Sequence, residues 1–216
     1  RATVCDTVGP ECPRRSAMRA RSGGIPSSSS SKMVRRYISV VSIMSVTGAS
    51  LSPMSTRVWW LRRDLRVADH PALLAAADGG AVVPLFVLDP ALWAAAGAPR
   101  QARLLASLRS LDADLRDRYA VSLVVRVGSP LTVVPALATE VGAVAVHVTA
   151  ETTPYGRRRD TAVRAALNAQ GRELVATGTA YAIGPGTVRT GGGTPYRVFT
   201  PFARAWRALG APGPAP

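Results

Sequence analysis

The sequence predicts an α/β fold: a doubly wound, five-stranded parallel sheet with helices on both faces. Three observations predict it. From residue 57 onward, short apolar runs of strand type alternate with helical periodicity. Helix-start chemistry, Pro behind a capping residue, recurs between the runs. Alternating strands and helices imply right-handed crossovers and a parallel sheet. The usual order for such a chain is 3-2-1-4-5, and that order is the expectation here.

The elements follow in turn. RVWWL (57–61) is the first strand. HPALLAAAD (70–78) is a helix with Pro71 in its first turn and Asp69 as its cap. AVVPLFVL (81–88) is a buried strand, although Pro84 removes one ladder donor. Residues 100–119 carry Leu104, Leu108, Leu111, Leu115 and Tyr119 on one helical face. SLVVRV (122–127) is the third strand. The next helix starts with Ser129 as cap and Pro130 behind it. AVAVHV (143–148) is the fourth strand, 157–171 a helix closed by Gly171, and RELVAT (172–177) the fifth strand.

Composition narrows the function classes. The chain has 216 residues, 27 Lys+Arg and 13 Asp+Glu, for a net charge of +14. Lys32 is the single lysine, so the basic excess is arginine and reads first as an Arg-rich surface. Cys5 and Cys12 both precede the predicted domain, which excludes a disulfide framework or thiolate metal site within it. The two histidines, His70 and His147, lack ligand-rich neighbours. His147 sits in VAVHV and reads as a satisfied core residue.

Residues 1–53 read as a disordered or non-native extension. RSGGIPSSSSSK is low-complexity, and the apolar run within KMVRRYISVVSIMSVTGAS is too short to cross a membrane. The predicted domain covers 54–180, and 181–216 form an exit segment and the start of a linker. A cytoplasmic monomer is expected.

In a doubly wound sheet, ligands sit beyond the C-terminal strand ends where the winding reverses. With order 3-2-1-4-5, that point lies between strands one and four. Their following loops are RRDLRVAD (62–69) and TAETTPYGRRRD (149–160), the most polar of the set. Arg62, Arg63 and Arg66 bracket Asp64, either as salt bridges or as a cup for a planar or anionic ligand. Pro154 and Gly156 shape a turn, Tyr155 can lie against a ring, and Glu151 can accept. Arg157–Arg159 oppose the helix dipole unless Asp160 or a ligand compensates. Asp89, Pro90 and Trp93 could add a side wall. No nucleophile elbow, Walker loop or dinucleotide fingerprint is present, and the Gly-rich RTGGGTPY stands in the wrong context for one.

At family level, VWWLRRDLRVADHPAL (58–73), PLFVLDPALW (84–93), TPYGRRRD (153–160) and TVRTGGGTPYRVFTPFARAW (187–206) occur in order. Together they resemble the N-terminal α/β domain of DNA photolyases and cryptochromes over residues 57–209. The resemblance implies a further helical domain that holds FAD and the lesion pocket. It also implies light-driven repair of cyclobutane pyrimidine dimers flipped out of UV-damaged DNA. No catalytic residue is then expected in this chain. Trp59, Trp60, Trp93 and Trp206 are expected as core or interface aromatics.

The same resemblance implies an antenna chromophore against this domain: 8-hydroxy-5-deazaflavin, a reduced folate or a flavin. Glu151 stands where deazaflavin binders carry an acid before PYGR, while Thr153 replaces a second acid of some members. The expected antenna-site residues are Arg63, Asp64, Phe86, Leu88, Asp89, Glu151 and Tyr155. A cryptochrome-type light sensor is the alternative reading, and a freestanding nucleotide-binding module the third.

Overall fold

The computed structural model describes residues 55–210 and 212–215. The expectation for residues 1–53 lies outside them. The elements are β1 (Arg57–Leu61), α1 (Pro71–Ala77), β2 (Val82–Leu88), α2 (Pro90–Ala95), α3 (Ala98–Tyr119), β3 (Val124–Val127), α4 (Pro130–Glu140), β4 (Ala145–Ala150), α5 (Pro154–Asn168), β5 (Glu173–Thr179) and α6 (Phe199–Leu209). The five strands form one sheet in the order β3-β2-β1-β4-β5, with every pairing parallel.

Alternation along the strands divides the core between two faces. Trp59 and Leu61 join Phe86, Leu88, Leu108, Leu111 and Leu115 on the face covered by α1 and α3. Val58 and Trp60 join Leu85, Val146, Val148, Val163 and Leu167 on the face covered by α4 and α5. The two adjacent tryptophans thus serve opposite cores, and both are buried.

Pro84 is tolerated inside β2 for a visible reason. It lies opposite Trp59 of β1, whereas the ladder to β3 begins only at Leu85. On the β3 side no bond is lost at that position.

Two helix starts differ from the sequence reading. The cap of α1 is His70, not Asp69: His70 Nδ1 accepts the Leu73 N–H at 3.2 Å. Asp69 instead adopts a left-handed conformation with φ of 51°, stabilised as Arg66 Nη2 donates to its carbonyl oxygen at 2.6 Å. The turn needs that reversal, so Asp69 cannot occupy the capping geometry. Helix α5 begins at Pro154 rather than 157, because Thr153 Oγ1 accepts the Gly156 N–H at 3.1 Å. The exit segment also contains a helix, α6, that the sequence reading left unassigned.

Candidate functional site

The site is built where β1, β2 and β4 end. Asp64 ties the first of these loops down. Its Oδ1 accepts the Arg62 N–H at 3.1 Å. Its Oδ2 accepts the Thr149 hydroxyl at the end of β4, and His70 Nε2 lies 2.9 Å away in an off-line contact. Burial alone would raise this carboxyl, but His70, Thr149 and the Arg62 amide outweigh it and hold it well below the usual carboxylate range. Both oxygens are therefore engaged by the fold, and the side chain is only 8% exposed.

Glu151 closes the second loop. Its Oε1 accepts the Thr152 and Thr153 amides at 3.0 and 3.2 Å and meets Arg63 Nη2 at 3.2 Å. Burial pushes this carboxyl up, yet those amides and the Arg63 and Arg62 charges bring it below its ordinary value. A Cβ at position 156 would run into the Glu151 side chain, so glycine there lets the carboxylate lie against the first turn of α5. The Arg63 side chain is 58% exposed while that of Glu151 is 9% exposed, so the pair presents its cationic end to solvent.

The end of β2 enters through Asp89. Its Oδ1 caps α2 by accepting the Ala91 N–H at 2.9 Å. Its Oδ2 accepts the Tyr155 hydroxyl at 3.1 Å. Partial burial, then the Asp89 hydrogen bond, raise the Tyr155 phenol above its ordinary value. The ring of Tyr155 is open to solvent. Phe86 and Leu88 lie beneath these loops as buried members of the core shared with α3.

The basic run at the start of α5 splits in two. Arg159 Nη2 and Arg62 Nη1 both meet Asp160, at 2.9 and 2.6 Å. Both guanidiniums also stand 5.1 Å from the Trp60 ring centroid. Asp160 is the acid that compensates Arg159, and this cluster belongs to the architecture. Arg157 and Arg158 remain exposed, with no acid in the first turn of α5. Among the described residues, no group of His, Cys, Asp and Glu could hold a metal ion.

The structure thus brings Arg63, Asp64 and Glu151 to one edge, with Asp89 and Tyr155 joined beside them. Asp64 is used as a tie between loops, while the Arg63 side chain and the Tyr155 ring are exposed at the same edge. His70 was missed, because aspartate is the commoner cap and the preceding Asp69 drew the assignment. Its signal was its place directly before Pro71. The expectation of a satisfied His147 is corrected: the residue is buried, but neither ring nitrogen has a hydrogen-bond partner among the described residues.

The family model for DNA photolyase matches residues 57–216. The chain belongs to the DNA photolyase family. A deoxyribodipyrimidine photo-lyase of Streptomyces griseus is 44% identical over 165 residues, covering 74% of this chain and 36% of that protein. One from Halobacterium salinarum is 36% identical, over 74% of this chain and 35% of the relative. Among solved structures, a bacterial class III photolyase from Agrobacterium tumefaciens aligns with a TM-score of 0.65 at 32% identity, covering 77% of this chain and 34% of that one. An archaeal photolyase from Sulfolobus tokodaii, solved with two FAD molecules, aligns at 0.62 and 26% identity, over 74% of this chain and 36% of that one. This photolyase-family chain therefore spans about a third of the length of these photolyases.

Proposed function

We propose that this chain is the antenna-binding portion of a deoxyribodipyrimidine photolyase, which repairs cyclobutane pyrimidine dimers in UV-damaged DNA under blue light. The observation that carries the reading is the meeting of the loops after β1 and β4 at Arg63 and Glu151, within a chain of this family. Arg63 would donate to a heteroaromatic ring, Glu151 would accept from it, and Tyr155 would lie against its face. Phe86, Leu88 and Asp64 would support the floor, and Asp89 would hold the Tyr155 hydroxyl. The donor set fits a planar ring with both donor and acceptor edges: 8-hydroxy-5-deazaflavin, a reduced folate or a flavin. Such a group would absorb light and pass the excitation on.

FAD would supply the electron for repair, and no described residue is assigned to it. The acting protein would be a cytoplasmic monomer that meets DNA as a whole. Among the described residues, no helix is long and apolar enough to cross a membrane.

The test has two arms. The full chain is titrated with each of the three chromophores, and saturable fluorescence quenching is expected with one. The same titration on Glu151→Gln should weaken that binding roughly tenfold, the loss of about one charge-assisted hydrogen bond. Absence of saturable binding to all three would overturn the antenna reading. In the second arm, the complete gene, including the helical FAD domain that the resemblance implies, is expressed in cells lacking their own photolyase. Survival after UV should rise only under blue light. A cryptochrome-type sensor would leave survival unchanged.

A further inference from the structure

His147 poses a different problem from the site residues. It lies in β4 opposite Trp59 of β1, so both side chains face the layer covered by α1. Its neighbours Val146 and Val148 face the other core. The ring is 5% exposed, and both nitrogens lack a hydrogen-bond partner among the described residues. Close by on the same sheet face, Trp59 Nε1 and Arg57 Nη1 are buried without partners too. Three neighbouring side chains thus carry buried nitrogens on this face that have no hydrogen-bond partner among the described residues.

The surrounding charges favour a neutral ring. Arg57 of β1 and Glu173 of β5 act on it, and the seven residues of α1, PALLAAA, carry no titratable group. The helix ends in His70 and Asp78. Burial, then the Arg57 charge, lower the basicity of His147, against a smaller opposing pull from Glu173.

We propose that the seat of α1 on β4 is an acid-sensitive latch with His147 as its pin. A proton added to the ring creates an imidazolium beside the Arg57 guanidinium, inside an apolar layer, with neither nitrogen hydrogen-bonded among the described residues and only the weaker pull of Glu173 to offset the charge. That species is relieved only if α1 lifts and water enters. The N-terminus of α1 is capped by His70, whose ring meets Asp64 and packs edge-on against Trp59 at 4.7 Å between centroids. Lifting the helix therefore slackens the tie that holds the loop after β1. This acid response belongs to the fold and does not depend on any chromophore.

The sign follows from linkage. The unfolded chain binds the proton at the ordinary histidine value of 6.5, and the folded chain binds it only at lower pH. The stability difference is fully present above the unfolded value and is lost as pH falls below it.

The test uses the full 216-residue chain. Between about pH 7.5 and pH 5.5, wild-type Tm should fall by roughly 2–4 °C. Amide hydrogen exchange over residues 71–77 should quicken in the same range. In His147→Leu that loss should vanish, whereas His70→Asn should retain it. Histidine ring resonances of the wild type give a second reading that needs no variant. A His147 ring that titrates at or above its ordinary value would overturn the proposal. So would a His147→Leu protein with the wild-type pH dependence.

Discussion

Two buried polar groups on this sheet have been treated in opposite ways. Asp64, at the C-terminal edge, has both oxygens met by Arg62, Thr149 and His70. His147, on the same sheet within the body of β4, has neither nitrogen met by any described residue. The difference lies in what surrounds each. Strand ends are followed by loops whose amides, hydroxyls and guanidiniums can turn toward a charge. The middle of a strand has its backbone groups committed to the ladder and its neighbours' side chains packed as apolar filler. A charge is thus stable at the edge, while in the interior only a neutral ring is tolerated. The edge is also where a ligand can find donors and acceptors, which is why the candidate site is there.

Breaking the edge should cost most where two cations share one acid. Asp160→Ala leaves Arg62 and Arg159 facing one another over Trp60. A loss of about 3–5 kcal/mol is expected from the urea midpoint, as for removal of one partner from a buried pair. A loss below about 1 kcal/mol would show that water already screens the cluster.

Asp64→Asn comes next. About 1–3 kcal/mol should be lost near neutral pH, because the Thr149 and His70 contacts weaken. The acid side of the stability curve should change as well. The folded carboxyl is held below its ordinary value of 3.8, so its contribution is present above that value and disappears as pH falls through the folded one. The variant should lack this acid limb in a chemical-denaturation series taken below about pH 4.

The smallest effect on stability is expected for Tyr155→Phe. The hydroxyl bond to Asp89 is exposed and should contribute less than about 1 kcal/mol. Its removal frees an Asp89 oxygen at the rim, so chromophore affinity should change more than Tm. A change in Tm with no change in affinity would place Tyr155 outside the site.

The comparison also shows where sequence reasoning works. The loops RRDLRVAD and TAETTPYGRRRD could be paired in advance because sheets of this topology place the ends of the first and fourth strands side by side. Which residues would tie the loops and which would stay open was not legible. Asp64 reads equally well as ligand acceptor or as salt-bridge partner until Thr149, 85 positions away, is seen to donate to it. Asp160 meets Arg62 across 98 positions. Such pairings depend on side-chain geometry that no local pattern encodes.

What the chain determined alone was the alternation of strand and helix, because apolar periodicity and Pro-led helix starts are local properties. The winding reversal between the first and fourth strands was taken from the usual order of such sheets, and the sheet order β3-β2-β1-β4-β5 bears it out. Only the tertiary structure decided that Asp64 ties two loops together, that Arg62 and Arg159 share Asp160, and that His147 is buried with no hydrogen-bond partner among the described residues. Each of these depends on which distant groups come within hydrogen-bond reach once the layers have closed, and burial then fixes the cost of every polar group left unmet.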